Sequence, residues 1–246
     1  MTEVAKNGRR RIRRGRAKPT LLRLLLFIIA LLATRQACAQ QPTAVDLTLV
    51  LAIDCSWSIT NDEFDLQMQA TAAAFRHPAV IRAITGGTHG RIAVTVLQWS
   101  DQQQQTLSLP WLVIEDVASA HAAANRIATV PRQVHGGATS ISAVLQFATA
   151  HILKSPFSAL RQVIDVSGDG RNNSGGPPEH SRDLAVRLGL TINGLTILSK
   201  EHAVLDEYFR RRVIGGPGHF VEIANEHRAY PEAILRKLLR EVSYTN

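Results

Sequence analysis

The sequence predicts an α/β fold: a doubly wound, mostly parallel sheet with one antiparallel edge strand and helices on both faces. Three observations carry that prediction. From Val45 onward, strand-length apolar runs alternate with longer segments of helical period, as βαβ winding requires. The runs are β-branched and mostly continuous, which suits strands buried on both faces of a parallel sheet. Gly- and Pro-rich punctuation falls between elements, at 86–87, 136–137, 175–178 and 215–218.

Taken in order, central strands are expected at 47–53, 92–98, 163–166, 192–197 and 220–223. The segment 105–111 alternates more and meets Pro110, so it is expected at an edge, paired with the strand before it. Helices are expected at 62–84, 118–127, 140–153, 179–188, 205–213 and 231–242. Thr60 and Asn61 precede an acidic first turn, and Pro231 stands where a first helical residue would. Pro78 should break the first long helix in two.

The chain has 28 Lys and Arg against 20 Asp and Glu, a net charge of +8. Residues 1–39 hold ten of the basic side chains and one of the acidic, which leaves 18 basic against 19 acidic for 40–246. The excess therefore belongs to a leader, and nucleic acid is not expected as a partner. That leader has the three parts of an export signal: a cationic stretch through Lys18, an apolar run at 24–33, and Ala37-Cys38-Ala39 before Gln40. Cleavage is expected after Ala39. Ten apolar residues fall short of the roughly 20 that span a bilayer as a helix, so no integral span is expected once the leader is removed. A nuclear-localisation or RNA-binding arm would explain the Arg cluster but not the apolar run. Cys38 lacks the aliphatic residue three positions upstream that lipidation would want. Residues 40–246 should then form one periplasmic or extracellular domain, held at the membrane if the leader stays uncut. Cys55 would be its single cysteine, so a large apolar core rather than a disulfide must stabilise it.

The first central strand runs into Asp54-Cys55-Ser56-Trp57-Ser58, an acid followed by hydroxyls two and four residues on. Three oxygen donors thereby share one tight turn beyond the carboxyl end of a strand, where open α/β sheets bind ligands. Alone, this pattern equally describes a capping turn into the next helix. Two further segments add to it. Gly136-Gly137-Ala138-Thr139 delivers a hydroxyl to a helix start, and Val166-Ser167-Gly168-Asp169-Gly170 delivers a carboxylate from the end of another long strand. Viewed singly, Thr139 is also a helix N-cap and Asp169 a turn aspartate. Together the five side chains make an all-oxygen set that suits Mg²⁺, Mn²⁺ or Ca²⁺ and disfavours zinc or copper.

This three-part pattern resembles the metal-ion-dependent adhesion site of von Willebrand factor A domains. Within that superfamily the chain is most similar to a group of uncharacterised exported bacterial proteins, on VLAIDCSWSI, GGATSI and VSGDGRNNSG. The resemblance covers about 45–243 and implies a von Willebrand factor A-like, Rossmann-type fold. It further implies that Ser56, Ser58 and Thr139 bind the ion directly, while Asp54 and Asp169 act directly or through water. An open coordination position would accept a carboxylate from a protein partner.

Other residues are weighed against plainer roles. Asp165 lies within its strand, where a neighbouring His or Arg is the expected partner. Asn172 and Asn173 are expected to shape their loop, and Asp101 is read equally as a second-layer acceptor or a surface turn. Cys55 should point into the core. Trp57 is balanced between an exposed contact at the rim and packing against the following helix. His135 is the histidine nearest the site by sequence, and no His is placed to activate Cys55. Arg210-Arg211-Arg212 closes a helix, where positive charge complements the carbonyl end. No phosphate-binding glycine motif is present. The expected function is a non-enzymatic, metal-dependent binding module. A metal-dependent hydrolase of phosphate or ester substrates, and a domain whose metal is purely structural, are the alternatives.

Overall fold

The computed structural model describes residues 42–243. The expected leader, 1–39, and its cleavage point lie outside them. The described chain runs β1 (Thr43–Asp54), α1 (Asn61–Arg76), α2 (Pro78–Thr85), β2 (Ile92–Trp99), β3 (Gln105–Ile114), α3 (Val117–Ala128), α4 (Ile141–Leu153), β4 (Phe157–Gly168), α5 (Pro178–Arg187), β5 (Thr191–Ile197), α6 (Leu205–Arg212), β6 (Val221–Ala224), a 3₁₀ turn (His227–Ala229) and α7 (Tyr230–Ser243). The six strands form one sheet in the order β3-β2-β1-β4-β5-β6. Every neighbouring pair is parallel except β2 and β3, so the expected doubly wound sheet with one antiparallel edge is what forms.

Local chemistry explains the boundaries. Thr60 caps α1 through a reciprocal box with Glu63: the Glu63 N–H donates to Thr60 Oγ1, and the Thr60 N–H to Glu63 Oε2. Pro78 breaks the predicted 62–84 helix as expected, with His77 capping the second piece through Nδ1. Pro110 lies inside β3, which runs three residues beyond the predicted end. The strand accommodates it because the β2–β3 register shifts between Val94 and Val96, so Pro110 falls in an irregularity rather than a regular ladder. Strand β4 starts six residues earlier than predicted, its half-exposed first half pairing with the beginning of β1.

Burial follows the period-2 alternation on both faces of the sheet. Leu47, Leu49, Leu51 and Ile53 of β1 pack in one core with Phe64, Met68 and Phe75 of α1, Val80 of α2, Ile127 of α3, and Tyr230, Ile234 and Leu238 of α7. Val50 and Ala52 point the other way, into a second core with Val144, Leu145 and Ile152 of α4 and Phe209 of α6. Among the described residues no helix is long and apolar enough to cross a membrane.

The strand order reverses between β1 and β4. Chain leaving β1 moves toward β2, while β4 to β6 extend the sheet in the opposite direction, so a crevice opens at the carboxyl ends of β1 and β4. Asp54 and Asp169 come from the ends of these two strands.

Candidate metal centre

Three loops meet over that crevice. In the first, the Cys55 N–H continues the β1–β2 ladder by donating to Trp99 O (2.8 Å), and the Ser56 N–H donates to Asp54 Oδ1 (2.8 Å). This aspartate turn fixes the carboxylate at the end of the buried strand. The second loop is laced to the first by Trp57 N–H to Gly137 O (3.1 Å) and Gly136 N–H to Cys55 O (3.1 Å). Gln98, buried near the end of β2, holds its approach: Oε1 accepts from the Gln133 and Val134 N–H groups, and Nε2 donates to Pro131 O. The third loop clasps the second, since Asn173 and Ser174 both donate through their backbone N–H to Thr139 O, and the Thr139 N–H returns a bond to Asn173 Oδ1 (2.8 Å).

These bonds gather the predicted donors. The Ser58 hydroxyl donates to Asp169 Oδ1 at 2.7 Å, and the Ser56 and Ser58 hydroxyls are 3.2 Å apart. Thr139 Oγ1 lies 3.5 Å from where a Cβ on Gly170 would sit, next to Asp169. Asp54, Ser56, Thr139 and Asp169 are buried, whereas Ser58 reaches the surface. Ser56, Ser58 and Thr139 line an open cleft of about 460 Å³, together with Trp57, Arg171, Asn173 and His202.

Electrostatically the site has surplus negative charge. Asp54 is fully buried, and its Oδ2 makes no hydrogen bond, the nearby Asp169 N–H offsetting only a little of its charge. Burial first, and the Asp169 carboxylate second, push Asp54 up to about 7. The described residues hold no group of three or more His, Cys, Asp and Glu side chains at metal-binding spacing. What the crevice offers an ion is two carboxylates and three hydroxyls. An orphaned, buried carboxylate oxygen beside a second carboxylate and three hydroxyls fits a divalent cation.

With this geometry in view, comparison with known proteins places the chain. A family model described as "Protein of unknown function (DUF1194)" matches residues 44–246. The chain belongs to the DUF1194 family. A search of curated proteins returns no match. Among solved structures, this DUF1194 domain is similar to proximal thread matrix protein 1 from the mussel byssus: 16% identity and TM-score 0.57, over 82% of this chain and 49% of that one. It is also similar to a von Willebrand factor type A protein from Catenulispora acidiphila: 16% identity and TM-score 0.51, over 81% and 43%. A third similar structure is the vWF domain of the type V pili tip protein Mfa5 from Porphyromonas gingivalis: 11% identity and TM-score 0.53, over 83% and 98%. The chain spans about half the length of the mussel protein and less than half of the Catenulispora one. At these identities the likeness shows the fold, which is von Willebrand factor A-like. One structure of the mussel protein is described with a zinc-occupied MIDAS motif.

Around the five donors of the DUF1194 domain, the other residues singled out in the sequence take distinct places. Thr139 is not an N-cap: Ser140 occupies that position without a side-chain cap bond, and Asn172 Oδ1 accepts from the Ser142 N–H instead. Asn172 and Asn173 thus shape the loops, as expected. Asp101 accepts from Ser174 Oγ (2.7 Å) and ties the loop after β2 to the loop after β4. Cys55 points into the core, and burial pushes its thiol up to about 12. The expected His or Arg partner of Asp165 is a correction: its partner is Lys237 of α7, at 2.7 Å. His135 is exposed; His202 lines the cleft, and the histidine beside the carboxylates is His227, with Nε2 3.8 Å from Asp169 Oδ2 and 3.4 Å from Glu63 Oε1. Burial lowers the His227 pKa, but Asp169, Glu63 and Asp54 together hold it above the ordinary histidine value. Trp57 stands exposed at the rim rather than packed on α1.

Proposed function

We propose that this chain is an exported, metal-dependent protein-binding module. Asp54, Ser56, Ser58, Thr139 and Asp169 hold one divalent cation, Mg²⁺, Mn²⁺ or Ca²⁺, and an acidic side chain of a protein partner completes its coordination. The observation that carries this reading is Asp54 Oδ2, a fully buried carboxylate oxygen without a hydrogen bond, next to the Asp169 carboxylate. Leaving such a pair uncompensated is costly, and a dication between them offsets both charges.

Two carboxylates neutralise a dication and the hydroxyl donors add no charge, so a coordination position left toward the cleft can take a carboxylate from outside. When bound, the ion supplies a Lewis-acidic point toward the cleft. Ser58, exposed and bonded to Asp169, lies where the site meets the cleft, so an incoming carboxylate meets the donors from the solvent side. His227 directs Nε2 to Asp169 and Glu63, while its Nδ1 is buried without a hydrogen bond, an arrangement that anchors carboxylates and offers no free base to a substrate. The cationic, apolar, small-residue leader supports export. Similar folds in a byssus matrix protein and a pilus tip protein accord with an extracellular binding role.

Calorimetric titration of Mg²⁺ and Mn²⁺ tests the reading. Wild type should bind one equivalent and Asp54→Ala none; equal binding by the two proteins would remove the proposal. An ester- or phosphate-hydrolysing activity that needs metal and is lost in Asp169→Ala would replace binding with catalysis.

A further inference from the structure

We infer that Trp57 and Arg171 select the partner segment: it carries, close to the carboxylate that seeks the metal, a large apolar side chain for Trp57 and a second carboxylate for Arg171. This rests on the metal-dependent reading above and adds to it the chemistry of the partner.

Trp57 lies between two of the proposed ligands and is 82% exposed, the most exposed large apolar side chain among the described residues. Trp99 by contrast is buried, and Trp111 stacks on His151. Yet Trp57 is not loose. Its N–H is bonded to Gly137 O, and its indole lies so close over Gly136 that a Cβ there would fall 2.0 Å from Cδ1 and 2.1 Å from Nε1. Gly136 also has φ +77°, so glycine alone meets both demands of that position. The indole thus lies against the Gly136 backbone and is held out beside the proposed metal site. A rigid, exposed aromatic side chain is the usual anchor of a protein interface, because it buries much area at small entropic cost.

Arg171 comes directly after Asp169-Gly170 and is exposed. It pairs with no carboxylate among the described residues, whereas Arg210, Arg211 and Arg212 of α6 are engaged by Asp206, Glu207 and Glu179. Its guanidinium lies 5.5 Å from the centre of the Tyr208 ring, and the Tyr208 hydroxyl accepts from the neighbouring Asn172 N–H. This cation–π contact leaves the forked N–H donors of the guanidinium available to a carboxylate. Trp57 and Arg171 come from the loops after β1 and β4 and line the same cleft as Ser56, Ser58 and Thr139. Charge complementarity decides the occupant. A dication seated on Asp54 and Asp169 cancels the two carboxylates, and Arg171 then gives the cleft a net positive character. One unpaired cation suits a second carboxylate; a nucleic acid would need several phosphate contacts.

The test pans a phage-displayed random-peptide library on the full chain in Mg²⁺ and, separately, in chelator, with wild type, Trp57→Ser and Arg171→Gln. Calorimetry of Mg²⁺ alone on each protein reports the metal site and folding. Wild type in Mg²⁺ should enrich peptides with two acidic residues and a large apolar residue a few positions apart. Trp57→Ser should lose the apolar preference and Arg171→Gln the second acid. Each should weaken the best wild-type peptide by about tenfold or more, with Mg²⁺ affinity essentially unchanged. If wild type binds Mg²⁺ but enriches no peptide, or peptides with one acid and no apolar preference, the inference is overturned; so it is if both variants keep the wild-type consensus. No Mg²⁺ binding to wild type would overturn the metal reading, and this inference with it.

Discussion

Gly168 shows how closely single residues are fitted around the carboxylate pair. A Cβ at this position would lie 3.0 Å from Asp54 Oδ2, tighter than ordinary contact, and Asp54 is buried with its Oδ1 already tied to the Ser56 N–H. The carboxylate would have to shift by a few tenths of an ångström, moving the one oxygen left without a hydrogen bond. Gly168→Ala is therefore expected to weaken Mg²⁺ binding by about tenfold or more, as loss of an outer support does at metal sites. Gly170→Ala, whose Cβ meets Thr139 Oγ1 at an ordinary 3.5 Å, should change it little. Calorimetry on the two variants compares them directly, and equal effects would contradict so close a fit at Gly168. At this scale the sequence shows Asp54, Ser56 and Ser58 because they are adjacent on one turn, and Asp169 and Thr139 because each has its own glycine-rich signal. Glu63 and His227 are hidden for different reasons. The capping box accounts for Glu63 locally, and His227 reaches Asp169 from 58 positions away, through a loop that only the placement of β6 in the sheet brings near.

Between elements, the pairing of β4 with α7 contains a buried ionic cluster. Lys237 Nζ lies 2.7 Å from Asp165 Oδ1 and 2.6 Å from Glu241 Oε1, all three side chains being essentially inaccessible, and Asn193 Nδ2 donates to the same Glu241 oxygen. In sequence Lys237 and Glu241 look like an exposed i, i+4 pair on an amphipathic helix. They are buried because they fall on the face that also carries Tyr230, Ala233, Ile234 and Leu238. The elements themselves are legible where strands are apolar on both faces, and least legible at 157–162, where half-exposed positions mix apolar and polar residues. One cation among two carboxyls means that removing it leaves uncompensated groups, so Lys237→Met should cost about 3–5 kcal/mol. Burial pushes Asp165 up to about 7, with Lys237 pulling it down and Glu241 pushing it further up. The unfolded chain releases that proton near 3.9. A folded value above the unfolded one means a contribution fully present below about pH 4 and lost as pH rises through about 7. Lys237 and Tyr230, which with Glu241 face Asp165, are both shifted upward and do not titrate in that window. Asp54 does, but it is common to wild type and variant. Urea denaturation should therefore find Asp165→Asn gaining on wild type from pH 5 to about pH 7 and levelling off above it, by on the order of 1–3 kcal/mol. A pH-independent difference would mean that Asp165 is ionised throughout.

Across the whole domain, a parallel sheet brings the carboxyl ends of β1 and β4 to one edge, and this is why three segments distant in the chain were legible as one site. What the sequence does not display is how the loops are clasped, since the bonds from Gln98, Asn172, Asn173 and Asp101 to other loops depend on register and not on any local pattern. Because the proposed ligands are drawn from all three loops, a cation that binds the folded chain must stabilise the domain as a unit. At a hundredfold excess over its dissociation constant, Mg²⁺ should add about 2.7 kcal/mol. For a domain of this size that corresponds to a rise in melting temperature of about 5–10 °C. Asp54→Asn should behave in two ways at once. Without metal near pH 8 it removes a buried, ionised and unpaired carboxylate, so it should melt no lower than wild type. With Mg²⁺ its melting temperature should stay where it was while that of wild type climbs past it. Scanning fluorimetry across a Mg²⁺ series would show this crossing, and parallel rises in the two proteins would mean that the stabilising ion binds somewhere other than the crevice between β1 and β4.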